Sequence, residues 1–336
     1  MLKLPTPALV ALLLAAPLAS PQAARANCGA EGCPLAPRGP EATIGRFSFN
    51  LGYQTIEQNR LRDGGHDITA QQALLQAGGV GHVLEQLTRT RTTLVQADVR
   101  VTRRLALALS LPYVERVHRH AVLHHAGFLV GSEWHMRGLG DATALASWAV
   151  LDGTRSRAGW LTLQVGAKFP TGKTDVPQIG GEVPEPSARP GSGSTDAMAA
   201  LQYRRDLSWP APGGRRASVP LTAGVSARVN GRGSESYRMG SEWDANVGAG
   251  YPLVRSVRLL AQLNASWHAR DEAGTTDAVP HETGSAALYA SPGAQVLLAP
   301  GMSAFGYYQF PLAQHSNGPQ LVSPYHLSFG IAYAVR

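Results

Sequence analysis

The sequence predicts an all-β protein: a transmembrane antiparallel β-barrel of outer-membrane type, with about twelve strands over residues 44–336. Three observations predict it. Segments of about ten residues alternate apolar with polar or small side chains, the period of a strand and the length a tilted strand needs to cross a hydrocarbon layer. Aromatic residues stand at the segment ends (Tyr53, Tyr113, Phe169, Trp243, Tyr251 and Trp267), as girdles do. The connections alternate between tight and long. A soluble sandwich shares the period of two but not this combination.

The chain opens with Lys3, an apolar run over Ala8–Ala19 and the small-x-small site Ala24-Arg25-Ala26. This pattern is read as a secretory signal peptide over 1–26, too short to span a membrane as a helix. Residues 27–43 then form a periplasmic segment carrying Cys28 and Cys33. Lipidation of Cys28 requires an apolar residue three positions earlier, where Arg25 stands. In an oxidising compartment the simplest reading of the pair is a small disulfide loop. The C-x4-C spacing defines no metal or redox motif, and such a role stays open. A compact knob here would plug the periplasmic mouth or dock a periplasmic partner.

The strands follow in order. Phe47, Phe49, Leu51 and Tyr53 share one face, opposite Arg46, Ser48, Asn50 and Gln54. Val95, Val99 and Val101 oppose Gln96, Asp98 and Arg100, and Leu105–Tyr113 alternates likewise. Leu161, Leu163, Val165 and Phe169 oppose Thr162, Gln164 and Lys168. Further on, Val219–Val229 carries Arg228, Trp243–Tyr251 carries Asp244 and Asn246, and Val257–Trp267 carries Gln262 and Asn264. Leu327–Val335 closes the series, and weaker strands lie near 139–151, 197–206, 284–298 and 302–311. Thr102–Arg104, Pro252–Ser256 and Pro300–Gly301 are the tight turns. The long connections, near 59–87, 114–137, 170–194, 230–241, 268–283 and 312–324, all fall on one side, which the barrel rule places outside the cell.

Lys168–Lys173, KFPTGK, and Pro190–Asp196, PGSGSTD, superficially suggest a phosphate loop. The required G-x-x-x-x-G-K-[ST] is not met, and the Pro/Gly-rich continuation cannot open a helix. Both pieces are read instead as the ends of one outer loop, with Pro170 and Gly172 stopping the ladder.

These pieces also carry a resemblance. Gly138-Leu139-Gly140-Asp141, then Lys168-Phe169-Pro170-Thr171-Gly172, then Gly191-Ser192-Gly193-Ser194-Thr195-Asp196 are similar to three signatures of the outer-membrane "MetA-pathway of phenol degradation" transporter-like family. The closing stretch Tyr307–Tyr333 resembles its last hairpin. The likeness spans most of 44–336, with the motifs in the family's order. It implies a channel in the bacterial outer membrane and uptake of small aromatic or hydrophobic compounds. The chain ends Val335–Arg336, where such barrels commonly end in an aromatic residue.

Composition narrows the chemistry. Charged residues make up 16% of the chain, with 30 Lys and Arg, 23 Asp and Glu, and 37 Gly. The net charge of +7 is scattered, without a basic helix or interleaved aromatics, so nucleic acid is not expected as a partner; outer-membrane lipid and small solutes are. The expected lumen and solute path comprises Arg46, Asn50, Gln96, Asp98, Arg100, Gln164, Lys168, Arg228, Asp244, Asn246 and Asn264. HRHAVLHH supplies His118, His120, His124 and His125 as a candidate Cu, Zn or Ni site in an outer loop, and a surface metal-binding protein is the alternative function. Gln314-His315-Ser316-Asn317-Gly318 faintly resembles the site of an outer-membrane phospholipase. However, adjacent residues on a strand point to opposite faces, so His315 and Ser316 make a poor nucleophile–base pair. No catalytic residue and no cofactor is expected.

Overall fold

A computed structural model describes residues 46–76, 83–123, 129–153, 158–176, 184–210, 216–275 and 282–335. The strands are β1 (Phe47–Gln58), β2 (Arg60–Gly64), β3 (His66–Asp67), β4 (Val83–Arg100), β5 (Leu105–Leu123), β6 (Leu129–Leu139), β7 (Ala142–Leu151), β8 (Trp160–Phe169), β9 (Asp196–Pro210), β10 (Arg216–Val229), β11 (Glu242–Val254), β12 (Val257–His268), β13 (Ser285–Ala299), β14 (Met302–Val322) and β15 (His326–Val335). One helix, α1 (Ala70–Gln76), lies between β3 and β4. It starts in a capping box, in which the Gln72 amide donates to Thr69 Oγ1 while Gln72 Oε1 accepts from the Thr69 amide.

The sheet closes on itself. β1 pairs β4 on one side and β15 on the other, from Phe47↔Val335 to Ile56↔His326. β6 and β7 share one place in the wall, since β5 pairs β7 over Leu105–Ser110 and β6 over Tyr113–Leu123. β2 and β3 follow the outer end of β1; β2 pairs with the top of β14, and β3 with β2. The result is a closed twelve-strand antiparallel barrel, which leaves no sheet edge inside the membrane.

The two faces assign the solvent. Leu107, Val225 and Ile331 are 44%, 53% and 40% exposed, while Gln309 and Ser291, turned inward, are fully buried. A water-soluble sandwich would invert that arrangement; here lipid covers the apolar side. Trp243 and Trp267 pack together at 4.3 Å on that face, and Tyr251 marks its other margin. Val247 stands midway between Trp243 and Tyr251 on the same face. Val247→Arg is therefore expected to destabilise the folded barrel by about 2–4 kcal/mol. Urea titration of the lipid-inserted barrel, read by its heat-modifiable gel mobility, measures this; an unchanged midpoint would contradict the lipid-facing placement.

Strands run further than apolar alternation indicates. Of residues 114–137, expected as a loop, 114–123 form the upper part of β5 and 129–137 most of β6. Residues 312–324 mostly continue β14, and 59–87 contains β2, β3, α1 and the start of β4. Along β5 the period of two persists above Tyr113. The outward face carries Glu115 and Arg119, while Arg116, His118 and His120 turn inward and are buried. The ladder thus continues past the lipid, where its outer face no longer needs to be apolar. The signal peptide, the 27–43 segment with Cys28 and Cys33, and His124 and His125 lie outside the described residues.

Candidate functional site

The three glycine-rich motifs meet at the outer end of the barrel. GLGD ends β6 and fills the break before β7 with Gly140 and Asp141. Pro112, on β5, has no N–H to donate; its carbonyl accepts from the Gly140 amide at 2.9 Å. A Cβ on Gly140 would meet Pro112 Cγ at 2.9 Å, so the turn that aims Asp141 inward needs the smallest residue there. Lys168, near the end of β8, places Nζ 2.8 Å from Asp141 Oδ2 and 2.9 Å from Asp196 Oδ2. All three side chains are almost completely buried.

Two carboxylates against one ammonium leave a net negative charge, and the β8–β9 and β10–β11 loops compensate with donors. Gly172 N donates to Asp141 Oδ1 at 2.9 Å, and Ser192 donates to Asp141 Oδ2 through both N and Oγ, at 2.9 and 2.6 Å. Ser194 Oγ and Gly231 N donate to Asp196 Oδ1 at 2.7 and 3.0 Å. Lys168 Nζ also donates to Ser192 Oγ. KFPTGK and PGSGSTD lie back to back, with the Gly191 amide donating to Lys173 O at 2.9 Å. A Cβ on Gly191 would stand 2.5 Å from the Gly172 carbonyl carbon. The charged residues of the motifs therefore form a latch, and their glycines let two backbones close on it.

Part of the latched loop, residues 184–189, folds into the lumen. Pro184, Pro186, Ser187 and Arg189 are buried, and a short 3₁₀ turn over Pro186–Ala188 carries them. Arg116, on the inner face of β5, donates from Nη1 to Ser187 O at 2.7 Å, while Arg189 pairs with Glu235 in the β10–β11 loop. Glu185 keeps part of its surface open to the lumen, yet protein surrounds it. That burial, reinforced by Glu85 of β4 and Asp271 of the β12–β13 loop, pushes its carboxyl up to about 8. β4 and the β12–β13 loop belong to well-separated parts of the sheet order, and Glu185 lies within electrostatic reach of both.

Neighbouring loops lock onto this crossbar. Ser234 N donates to Ser192 O at 3.0 Å, and Arg238 and Glu272 exchange backbone hydrogen bonds. The Tyr237 hydroxyl donates to Asp271, whose Oδ1 also accepts from Gly240 N at 2.7 Å. Asn317 N donates to Gly284 O at 3.1 Å, carrying the chain of contacts to the tip of β14. Glu235 holds a left-handed φ of 58°, a conformation costly for a side-chain-bearing residue. Its ion pair with Arg189 and its carbonyl contact from Thr275 N at 2.8 Å hold it there.

Comparison with solved structures finds the same fold elsewhere. The chain is similar to an outer membrane channel from Pseudomonas putida F1, with 14% identity and a TM-score of 0.58, covering 86% of this chain and 95% of that one. It is also similar to the transport unit of the autotransporter AIDA-I from Escherichia coli, with 11% identity and a TM-score of 0.52, covering 86% and 90%. No family model matches the chain, and no curated protein matches it. At these identities the likeness shows the fold: an outer-membrane β-barrel.

The remaining expected lumen residues are distributed along the wall. Asn50, Gln96, Gln164 and Asn264 face inward and are buried. Gln164 Nε2 donates to Ser147 Oγ and Asn264 Nδ2 to Ser291 Oγ, each at 2.8 Å. Gln96 donates to Asp98 at 3.1 Å, Arg228 pairs with Glu242, and Asp244 and Asn246 share the inward face of β11. Arg100 ends β4 near the periplasmic margin. Arg46 departs from the expectation. It precedes β1, where its carbonyl accepts from the Arg100 amide at 2.8 Å, and its guanidinium lies 5.7 Å from the ring of lipid-facing Phe47, a cation–π contact.

His118 and His120 are likewise not in an outer loop. They face inward from β5 with ring centroids 5.2 Å apart, packed on Trp134 of β6, and His118 Nδ1 bonds Thr88 Oγ1 at 2.8 Å. Among the described residues no group of three or more His, Cys, Asp or Glu is arranged to hold a metal. His315 and Ser316 lie in β14 rather than in a loop, one exposed and one buried, and Ser316 Oγ donates to Arg62 O at 2.9 Å. Sequence reading missed Asp141, Asp196 and Glu185 as parts of one assembly. The available signal was one lysine and two aspartates, each embedded in a glycine-rich motif within a chain poor in charge.

Proposed function

We propose that the protein is an outer-membrane channel for the uptake of small aromatic or hydrophobic compounds. The observation that carries this reading is the inward-folded β8–β9 loop, latched by Lys168, Asp141 and Asp196 over a polar lumen. A barrel serving only as a membrane anchor has no need of a crossbar built from buried charge, whereas a selective pore needs a constriction. The resemblance of the three motifs to the phenol-pathway transporter-like family supports the solute class. The fold shared with a Pseudomonas putida outer membrane channel supports the pore. Reconstituted liposomes test the proposal. Uptake of phenol-sized aromatics is expected to exceed that of protein-free vesicles, while sugars of similar mass enter more slowly. Equal permeability with and without protein, together with no conductance in planar bilayers, would overturn it.

A further inference from the structure

β14 loses one of its two neighbours partway along its length. It pairs β15 over Met302–Gln309, and its next ladder on that side is with β2, from Ser316. Between these, Phe310–His315 has a ladder with β13 alone. There the register shifts, with Tyr289 opposite Pro311 and Leu288 opposite Ala313, so that Leu312 is a bulge. Pro311, which has no N–H, suits a strand edge left without a partner.

A cavity of about 360 Å³ occupies this break. Phe310, Pro311, Leu312 and Pro324 supply apolar walls, and Arg60 and Arg62 reach in from β2. The two guanidiniums are steadied by one residue: Arg60 Nη2 donates to Gln314 Oε1 at 3.2 Å and Arg62 Nη1 to Gln314 O at 3.0 Å. Asp67 lies 2.9 Å from Arg62 and 3.6 Å from Arg60, is half exposed, and leaves this trio with a charge of +1. Arg60 Nε is buried with no hydrogen-bond partner.

We propose that this break is a binding site for a carboxylate carried on a single ring or short apolar chain. The volume fits one ring with its substituent, at the small end of ligand pockets. Phe310, Pro311, Leu312 and Pro324 give the ring apolar surface to lie against, in a pocket that stays open on one side. Arg62 is already held by Asp67 and Gln314, so Arg60, whose Nε has no hydrogen-bond partner, offers the charged donor that a carboxylate accepts from more strongly than a neutral hydroxyl does. This assignment rests on the channel reading for its biological meaning, but the site can be tested without transport.

Calorimetry on the detergent-solubilised full-length protein, with benzoate, benzyl alcohol and inorganic phosphate as probes, decides it. Benzoate is expected to bind at least tenfold more tightly than either of the others. The double variant Arg60→Gln/Arg62→Gln is expected to lose that preference. Leu312→Trp, which fills the slot and leaves the charges in place, is expected to weaken benzoate as well, so that a misfolded arginine variant does not decide the matter. Benzoate binding unchanged in these variants, or phosphate binding as tightly as benzoate, overturns the site. Either result leaves liposome uptake untouched. Loss of uptake with benzoate binding intact would instead count against the channel.

Discussion

Lys168→Met is expected to release the β8–β9 loop and raise single-channel conductance severalfold, with the barrel still folded. The substitution leaves Asp141 and Asp196 buried, facing each other without the ammonium that lies within 3 Å of both. Removing one partner from a buried ion pair costs about 3–5 kcal/mol. Here the cost falls on loop closure, because the carboxylates regain water when Gly172, Ser192 and Ser194 move away, while the strand ladders and the lipid-facing surface stay as they are. About 3 kcal/mol shifts a closed–open equilibrium by more than a hundredfold. Asp196→Asn is the milder case, since Lys168 keeps Asp141 and the cluster loses its excess negative charge. Planar-bilayer conductance and hydrogen exchange of the 170–195 segment measure the effect. Wild-type conductance together with unaltered exchange in Lys168→Met would show that the latch does not hold the crossbar.

Raising the pH from 5 to 8 is expected to loosen the same crossbar from a different residue. Closed, Glu185 has its carboxyl raised from 4.5 to about 8, chiefly by burial and then by Glu85 and Asp271. Burial likewise raises Asp271, against the pull of the Tyr237 hydroxyl and the Gly240 amide. In an opened loop, Glu185 meets water and returns to an ordinary value. The closed state therefore binds the proton more tightly. Its advantage is complete below about 4.5, declines as pH rises, and is exhausted above about 8. The cations near this segment, Arg116 and Arg189, donate to the carbonyls of Ser187 and Pro184 and not to this carboxyl, so they do not cancel the effect. Glu185→Gln keeps the neutral form at every pH and is expected to flatten the dependence, with conductance near the acidic wild-type value. A wild-type conductance that is constant from pH 5 to 8, or an identical slope in Glu185→Gln, would rule out Glu185 as the source.

Much of the wall was legible because a membrane imposes a local rule. Every second residue between Trp243 and Tyr251, or between Phe47 and Tyr53, answers to lipid irrespective of what lies elsewhere in the chain. A period of two, read along a single strand, is therefore enough to assign the strand and its two faces, and strand length, aromatic ends and alternating connections add the barrel. The same rule hid the strand extensions. Above Tyr113 the outward face of β5 meets water, apolar alternation stops carrying information, and His118 and His120 read as loop residues although they pack inside on Trp134.

The sequence by itself determined the barrel, its approximate strand count, and the side of it on which KFPTGK and PGSGSTD stand. Only the tertiary structure decided what those motifs do. Asp141, Lys168 and Asp196 are separated by 27 and 28 residues, and their meeting depends on β7, β8 and β9 standing side by side in register (Lys168↔Asp196 and Thr143↔Lys168). Nothing in the pattern of any one segment encodes that register. It follows from closure of the whole sheet, which also carries Glu185 to a place between Glu85 and Asp271 and leaves Phe310–His315 without a ladder beside Arg60 and Arg62. Burial gives those charges their energies, and burial is a property of the closed barrel and its folded-in loops, not of neighbours along the chain.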